Sequence, residues 1–446
     1  MCIRDRVYTF KNQPDGKILV GGYFSDYSGI TSSYIARLNP DGSFDSTFIT
    51  GDYLNDKVNA IDLLPDGRIV VGGLFQSFNS TNTYRLVILN SDGTLNQIFP
   101  VGFDSYVRAI KVQSDGKILV GGEFLTYNGI SSQGLIRLNS NGTVDSTFNV
   151  GTGINGVWSI AIESDGNILC GGEFTEYDGI FCNRFIRLDT NGNVINTFGS
   201  GFDDRVQIIT LQSDGKILIG GQFNNFNGTV SDYMIRLNKN GTVDTTFDFD
   251  NWVNYIYVQS DGRLLVGGRF EYLGTYYSNN FIRLNPSGTP DGSFYNANDI
   301  TGPTYKWVNA ITELPDGNIM MGGWFNYYDG DNRGYIVSLN NDVNSYEYQY
   351  VYSGVPCTVD LFCCGWSNYP TFIIGSDVEL SINDSITISD VTSPSKKQCV
   401  KIISEYNEFL EPITHEYVQT YDDCLTCLSS TTKIAIVDCC SSEGCE

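Results

Sequence analysis

The stretch Ser114–Phe124 reads SDGKILVGGEF, and close copies stand at Pro65–Phe75 (PDGRIVVGGLF) and Ser213–Phe223 (SDGKILIGGQF). In each, an Asp-Gly turn leads into a short apolar run that closes on a glycine pair. The pair recurs seven times, at Gly21, Gly72, Gly121, Gly171, Gly220, Gly267 and Gly322, in steps of 47 to 55 residues. The third copy shows the surrounding phrase most clearly. VRAIKVQ (Val107–Gln113) alternates and is rich in β-branched residues, so it reads as a strand. SDG is a hairpin loop in which Gly116 can take the left-handed conformation without steric cost, and KILVGGEF (Lys117–Phe124) returns as a second strand. GLIRLN (Gly134–Asn139) and TVDSTF (Thr143–Phe148), joined by the turn SNG, supply two more after the loop LTYNGISSQ.

A period near 50 residues built from short strands and turn dipeptides is the signature of a propeller or solenoid. Four antiparallel strands make one blade, and a blade buries its two faces only against neighbours. The sequence therefore predicts an all-β chain, a seven-bladed β-propeller of four-stranded antiparallel blades over residues 7–354. Its repeats begin near 7, 58, 107, 157, 206, 253 and 308. The ring is expected to close by face packing of blade one on blade seven, with Asp342–Tyr350 as the last outer strand. A side chain at the glycine pairs would obstruct a close backbone approach, so they read as structural.

The SNG loop sets a register. Centred on Asn141, it places Arg137 opposite Asp145, and the same register pairs Arg37 with Asp45, Arg236 with Asp244 and Arg283 with Asp291. Blade two replaces both charges, Ile88 facing Asn96, whereas blade four keeps Arg187 against Ile195. These arginines read as blade fasteners rather than anion ligands.

The strings DGKILVGGxF and IRLNxDGSxDxTF resemble the delta-60 repeat β-propeller family over about residues 7–350. The apolar run before Gly-Gly is also kelch-like, but the spaced Tyr and Trp of kelch repeats are missing. The resemblance implies the propeller fold and an extracellular, adhesive setting on a cell surface or a virion; it implies no reaction.

Fifty-one acidic against 27 basic residues give a net charge of −24, which argues against nucleic acid and anionic membranes as partners. No run of eighteen apolar residues predicts a membrane-spanning helix. MCIRDR (Met1–Arg6) matches nothing in the repeats and reads as a non-native leader.

Nine of the 12 cysteines lie in the last 92 residues, which marks a boundary near 353–355. Residues 355–430 read as a small Cys-rich β module, with strands in DVELSINDSITISD and QCVKIISEY. Residues 431–446 read as the start of a second copy, since TVDLFCCG (Thr358–Gly365) and KIAIVDCCS (Lys433–Ser441) match. Cys357, Cys363, Cys364, Cys399, Cys424 and Cys427 are disulfide candidates, which points to an oxidising compartment. Cys424-Leu-Thr-Cys427 also has the spacing of a structural zinc site, and the Asp- and Asn-rich loops offer oxygen ligands to calcium; no cofactor is expected otherwise.

His415, the one histidine, lies outside the repeats, so a Ser-His-Asp or Cys-His site within the blades is excluded. The Asp-box of sialidase propellers is absent. A carboxylate pair for glycoside chemistry stays open among the acids, and the alternative function is a carbohydrate-active enzyme with such a pair in the channel. The preferred expectation is a non-catalytic scaffold that binds protein or glycan. Two sets of residues are its candidate ligand-binding positions. The residue after each doublet varies with the blade: Tyr23, Leu74, Glu123, Glu173, Gln222, Arg269 and Trp324. An aromatic follows within five residues of the doublet: Tyr27, Phe78, Tyr127, Tyr177, Phe226, Tyr272 and Tyr328. The second set also reads as packing between blades.

Overall fold

A computed structural model describes residues 6–339 and the tail strands Ser385–Ser389 and Lys397–Lys401. Outside it lie the loop positions 28–29, 33, 49–53, 99–101, 293, 295–299, 302–305, 326, 329–330 and 333–334. The chain divides into two compact units, Met1–Gly354 and Val355–Glu446.

Every described element is a strand. In blade three the inner strand Val107–Val112 pairs with Ile118–Gly122, which pairs with Leu135–Leu138, all antiparallel. The other inner strands are Arg6–Asn12, Val58–Leu63, Val157–Ile162, Val206–Leu211, Val253–Val258 and Trp307–Glu313. Outer strands Leu95–Ile98, Val194–Asn196 and Val243–Thr246 complete four-stranded sheets in blades two, four and five. In blades one, three and six the outer edge shrinks to one bridge, Leu38 to Phe44, Leu138 to Val144 and Leu284 to Pro290. The proposed last outer strand, Asp342–Tyr350, lies outside the described residues. The stretch expected as a plain loop after the doublet forms a small hairpin, Thr126–Tyr127 against Ile130–Ser131.

The glycine pair does two separate jobs. A Cβ on the first glycine would strike the leading valine of the next blade: Gly121 would meet Val157 Cγ1 at 2.6 Å and Gly171 would meet Val206 Cγ1 at 2.4 Å. A Cβ on the second would strike the backbone of its own blade, 2.0 Å from the Tyr106 carbonyl at Gly122 and 2.1 Å from the Lys57 carbonyl at Gly73. A β-bulge at the start of each inner strand, as between Val107 and Ala109, brings that carbonyl inward. Glycine is therefore required once by blade stacking and once by the bulge.

Because blades stack face to face, the second strand of each is buried along its whole length, as in Ile118–Gly122. The core is accordingly a set of layers between consecutive blades. One holds Val70 and Ile88 of blade two with Val107, Ile118 and Ile136 of blade three. Another holds Val7, Phe10 and Ile18 of blade one with Ala310, Leu314 and Met320 of blade seven. That last layer closes the ring by face packing, and Asn309 Nδ2 donating to the Val7 carbonyl at 3.4 Å and Asn12 Nδ2 donating to the Glu313 carbonyl at 2.7 Å reinforce it. Arg6, the last residue of the stretch read as a leader, is the first residue of the first inner strand and pairs with Tyr23.

The four expected ion pairs form: Arg37 Nε donates to Asp45 at 2.7 Å, Arg137 to Asp145 at 2.7 Å, Arg236 to Asp244 at 2.6 Å and Arg283 to Asp291 at 2.8 Å, although in blade five a bulge sets Arg236 opposite Thr245 rather than Asp244. Two of the expected pairings without opposite charges are off by one. Ile88 faces Gln97 rather than Asn96, and Arg187 faces Asn196 rather than Ile195, because a bulge shifts the outer strand. Arg187 finds its counter-charge just past the inner strand of its own blade, with Nη2 donating to Glu163 at 2.9 Å. These arginines also cross between blades: Arg137 donates to the Thr190 carbonyl and Arg236 to the Pro286 carbonyl at 2.6 Å.

In the tail, Ser385–Ser389 pairs antiparallel with Lys397–Lys401, within or overlapping the two stretches read as strands, whose remaining residues lie outside the described ones, and Cys399 sits opposite Thr387. The Cys399 side chain and the other five disulfide candidates lie outside the described residues. Cys170 and Cys182 are unbridged and buried in blade four.

Candidate functional site

Three positions per blade gather at the doublet end of the ring: the residues on either side of the leading valine, and the residue after the doublet. The strand register holds them together. Trp307 faces Trp324 across one blade and Arg6 faces Tyr23 across another. In blade three the Glu123 amide donates to the Tyr106 carbonyl at 2.9 Å, and the corresponding bond recurs at Leu74, Glu173, Gln222 and Arg269. The set after the doublet (Tyr23, Leu74, Glu123, Glu173, Gln222, Arg269, Trp324) is half-buried or exposed in every blade, around the mouth of the channel that the inner strands enclose.

Cations and aromatic rings alternate around this mouth and cross from blade to blade. Trp158 of blade four lies between two guanidiniums, Arg108 of blade three at 4.3 Å and Arg205 of blade five at 4.2 Å from its ring centre. Arg269 of blade six lies 5.2 Å from Trp252 and 5.6 Å from Trp307 of blade seven. Arg6 covers Trp324 at 3.8 Å, and Lys57 of blade two lies 5.9 Å from Tyr8 of blade one. The two carboxylates of the ring take part as well: Arg108 Nε donates to Glu123 at 2.8 Å, and Arg205 pairs with Glu173. Four of the five tryptophans of the chain stand here.

Electrostatically the mouth departs from the rest of the chain. At these positions Arg6, Lys57, Arg108, Arg205 and Arg269 oppose only Glu123 and Glu173, within a sequence of net charge −24. Burial holds the Lys57 ammonium below its usual value, and the nearby charges of Arg108 and Arg6 lower it further against the pull of Asp56. Among the described residues the buried donors Arg6 Nε, Trp158 Nε1 and Arg205 Nε find no hydrogen-bond partner. The site can thus offer flat apolar surface, cationic hydrogen-bond donors and two ion-paired acids. Among the described residues no group of three or more His, Cys, Asp or Glu is placed to hold a metal.

The second candidate set belongs to the core. Phe78, Tyr127, Tyr177 and Phe226 are buried, and Tyr27 is half-buried. Tyr127 packs on Phe103 at 4.6 Å while its hydroxyl donates to the Gly142 carbonyl at 2.7 Å. Tyr177 donates to the Gly192 carbonyl at 2.7 Å in the same manner. The four buried rings have no face free for a ligand. Tyr272 was matched to them by spacing, but Leu273 takes the buried place in blade six, bridged to Phe249, and Tyr272 turns outward. Tyr328 lies in the corresponding hairpin of blade seven.

Sequence reasoning singled out one of the three mouth positions and missed those flanking the valine, Trp158, Arg108 and Arg205 among them. The missed signal was available: the valine is common to all seven blades, and the residues on both sides of it differ from blade to blade. Elsewhere, a groove of about 580 Å³ opens at the opposite end between blades six, seven and one, lined by Asn12, Tyr257 and Glu313 together with Asp-Gly turns that every blade shares.

Seven blades closed around a channel define the molecule as a β-propeller. The chain belongs to the DUF5122 β-propeller family, a domain of unknown function, whose repeat matches residues 13–48, 64–99, 113–148, 163–198, 212–247, 259–294 and 314–342. No curated protein matches the sequence. Among solved structures, the WD40 β-propeller domain of Doa1 is similar at 14% identity over 76% of this chain and 93% of that one, with a TM-score of 0.50. The extracellular domain of a protein described as a hybrid two component system from B. thetaiotaomicron is similar at 14% identity over 93% of this chain and 53% of that one, with a TM-score of 0.48. A catalytically inactive virginiamycin B lyase from Staphylococcus aureus with quinupristin is similar at 14% identity over 72% and 92%, also with a TM-score of 0.48. At such identities the likeness is one of fold.

Proposed function

We propose that this is a non-catalytic binding propeller of an extracellular, cell-surface or virion-borne protein, which holds a protein or glycan ligand at the doublet-end mouth. One observation carries the reading. The valine against each first glycine is the same in every blade, whereas the partly exposed positions beside it and after the doublet vary around the ring. A rigid scaffold beneath a varied surface is how a repeat fold presents a recognition site. The resemblance of the strings to delta-60 repeats supports an adhesive, extracellular setting, as does a tail rich in candidate disulfides. The net negative charge weighs against nucleic acid. Among the described residues no helix is long and apolar enough to cross a membrane.

A second reading, a carbohydrate-active enzyme, draws on Glu123 and Glu173, carboxylates on adjacent blades of the ring. Each is engaged by an arginine, so a general acid there would first have to give up its ion pair. Screening the full chain on glycan and cell-surface arrays, with a parallel assay for released reducing ends, separates the two. Retention without turnover supports the binding scaffold. Product release that disappears in Glu123→Gln or Glu173→Gln would establish the enzyme instead.

A further inference from the structure

Aromatic rings and arginines at a mouth are compatible with many ligands until charge, size and hydrogen-bonding capacity are considered together. Trp252, Trp307 and Trp324 with Tyr8, Tyr23 and Tyr106 give ring faces and edges of the kind that cover the C–H face of a sugar, while Trp158 is held between Arg108 and Arg205. Gln207 and Gln222, at the same three positions, carry amides that both donate and accept, as sugar hydroxyls do, whereas Asn59, Asn254 and Asn309 donate to the neighbouring blade. The surplus of three positive charges at these positions is local to the mouth, and the like charges of Lys57, Arg108 and Arg6 lie near one another. An arginine fork matches a carboxylate or sulfate in shape and charge.

From this juxtaposition we infer that the mouth takes an acidic saccharide, with the sugar ring against the tryptophans and its carboxylate or sulfate among Lys57, Arg108 and Arg205. The inference rests on the mouth being the binding site and adds the chemical class of what it binds. A single-stranded nucleic acid, which also pairs stacking with cations, fits less well. It needs a basic track along its backbone, whereas these cations are interrupted at blades four and seven and the chain as a whole repels a long polyanion.

The test uses the full chain and four probes in calorimetric titration at low and moderate salt: an oligogalacturonate, a sulfated oligosaccharide, a neutral cello-oligosaccharide and an oligothymidylate. Lys57→Gln, Arg205→Gln and Trp324→Leu alter the mouth. Lys239→Gln removes the same charge from an exposed turn at the opposite end of blade five and serves as control. Circular dichroism checks that each variant is folded. The expected result is binding of the uronate or the sulfated probe, weakened by salt, at least tenfold tighter than the neutral sugar. Each mouth variant should weaken it about tenfold or more, and the control should leave it unchanged. Which of the two acidic probes binds identifies the anionic group.

Equal binding of the neutral sugar, still lost in the mouth variants, would overturn the acidic class and leave the mouth as the site. Acidic-sugar binding indifferent to the mouth variants would overturn the site itself. Preference for the oligothymidylate, or no binding of any probe, would overturn the inference.

Discussion

Gly322 in the last blade and Val7 in the first stand so close that a Cβ on the glycine would lie 2.7 Å from Val7 Cγ1. The same contact joins each blade to the next, Gly72 to Val107 and Gly220 to Val253 among them, so the ring is closed by the interaction that builds it. Among the described residues the seam is built from the same glycine-to-valine contact as the other interfaces between blades.

The two glycines of a doublet should differ in how well they tolerate alanine. In Gly121→Ala the new methyl meets the ends of Val157 and Ile160, which can move. Overpacking of this kind costs about 1–3 kcal/mol. In Gly122→Ala it meets the Tyr106 carbonyl, which the bulge fixes, and the loss should be larger. Thermal unfolding of the two variants measures the difference. Adding Val157→Ala should recover part of the first loss and none of the second; equal recovery would refute the division of labour.

Arg137→Ala leaves Asp145 buried with only Lys117, 3.0 Å away, to meet its charge, and it cuts the bond to the Thr190 carbonyl of the next blade. Removing one partner of a buried pair costs about 3–5 kcal/mol. In a double-mutant cycle Asp145→Ala should add much less to Arg137→Ala than it costs alone, as read by denaturant unfolding. Additive losses would show that the pair does not act as a unit.

Acid should find the same pairs. Burial alone would raise the carboxyls of Asp45 and Asp145. Hydrogen bonds from Lys17, Thr47 and Arg37 to the first, and from Thr147, Lys117 and Arg137 to the second, hold both well below the usual range. A carboxyl depressed in the fold contributes fully above its unfolded value of about 3.9, and that contribution is lost as pH falls through this value toward the folded one. The unfolding midpoint should therefore stay level from about pH 7 to 5 and drop below about 4. The Asp45→Asn, Asp145→Asn variant should begin lower at neutral pH and lose less on acidification. An equal acid loss in variant and parent would place the sensitivity elsewhere.

Tyr127→Phe removes one buried hydroxyl and leaves the Gly142 carbonyl without that donor. Blades two and five already carry Phe78 and Phe226 at this place, so the ring itself fits. A loss of about 0.5–1.5 kcal/mol in unfolding is expected, with ligand binding unchanged. A binding defect would return this position to the site.

The fold was legible because its rules are local and repeated. Asp-Gly turns fix hairpins, Gly-Gly marks both the stacking contact and the bulge, and the Arg–Asp pairs follow from one turn register. The bulges were not legible, and they displaced Ile88, Arg187 and Arg236 by one partner, because an extra residue in a ladder leaves no composition signal. Spacing from the glycines failed in blade six, where a hydrophobic Leu273 fills the buried place and the nearby aromatic, Tyr272, is exposed. Only a third of the mouth was visible, because Arg108, Trp158 and Arg205 meet through closure of the ring, about fifty residues apart in the chain.

With four of the five tryptophans at the mouth, the emission of the chain is itself a probe of the central claim, once Trp366 is removed by Trp366→Phe. Titrating an acidic oligosaccharide that binds should shift or quench tryptophan fluorescence in a saturable way, with the same dissociation constant as calorimetry, and should shield the rings from acrylamide. Calorimetric binding with emission and quenching unchanged would place the ligand away from the mouth and contradict the account.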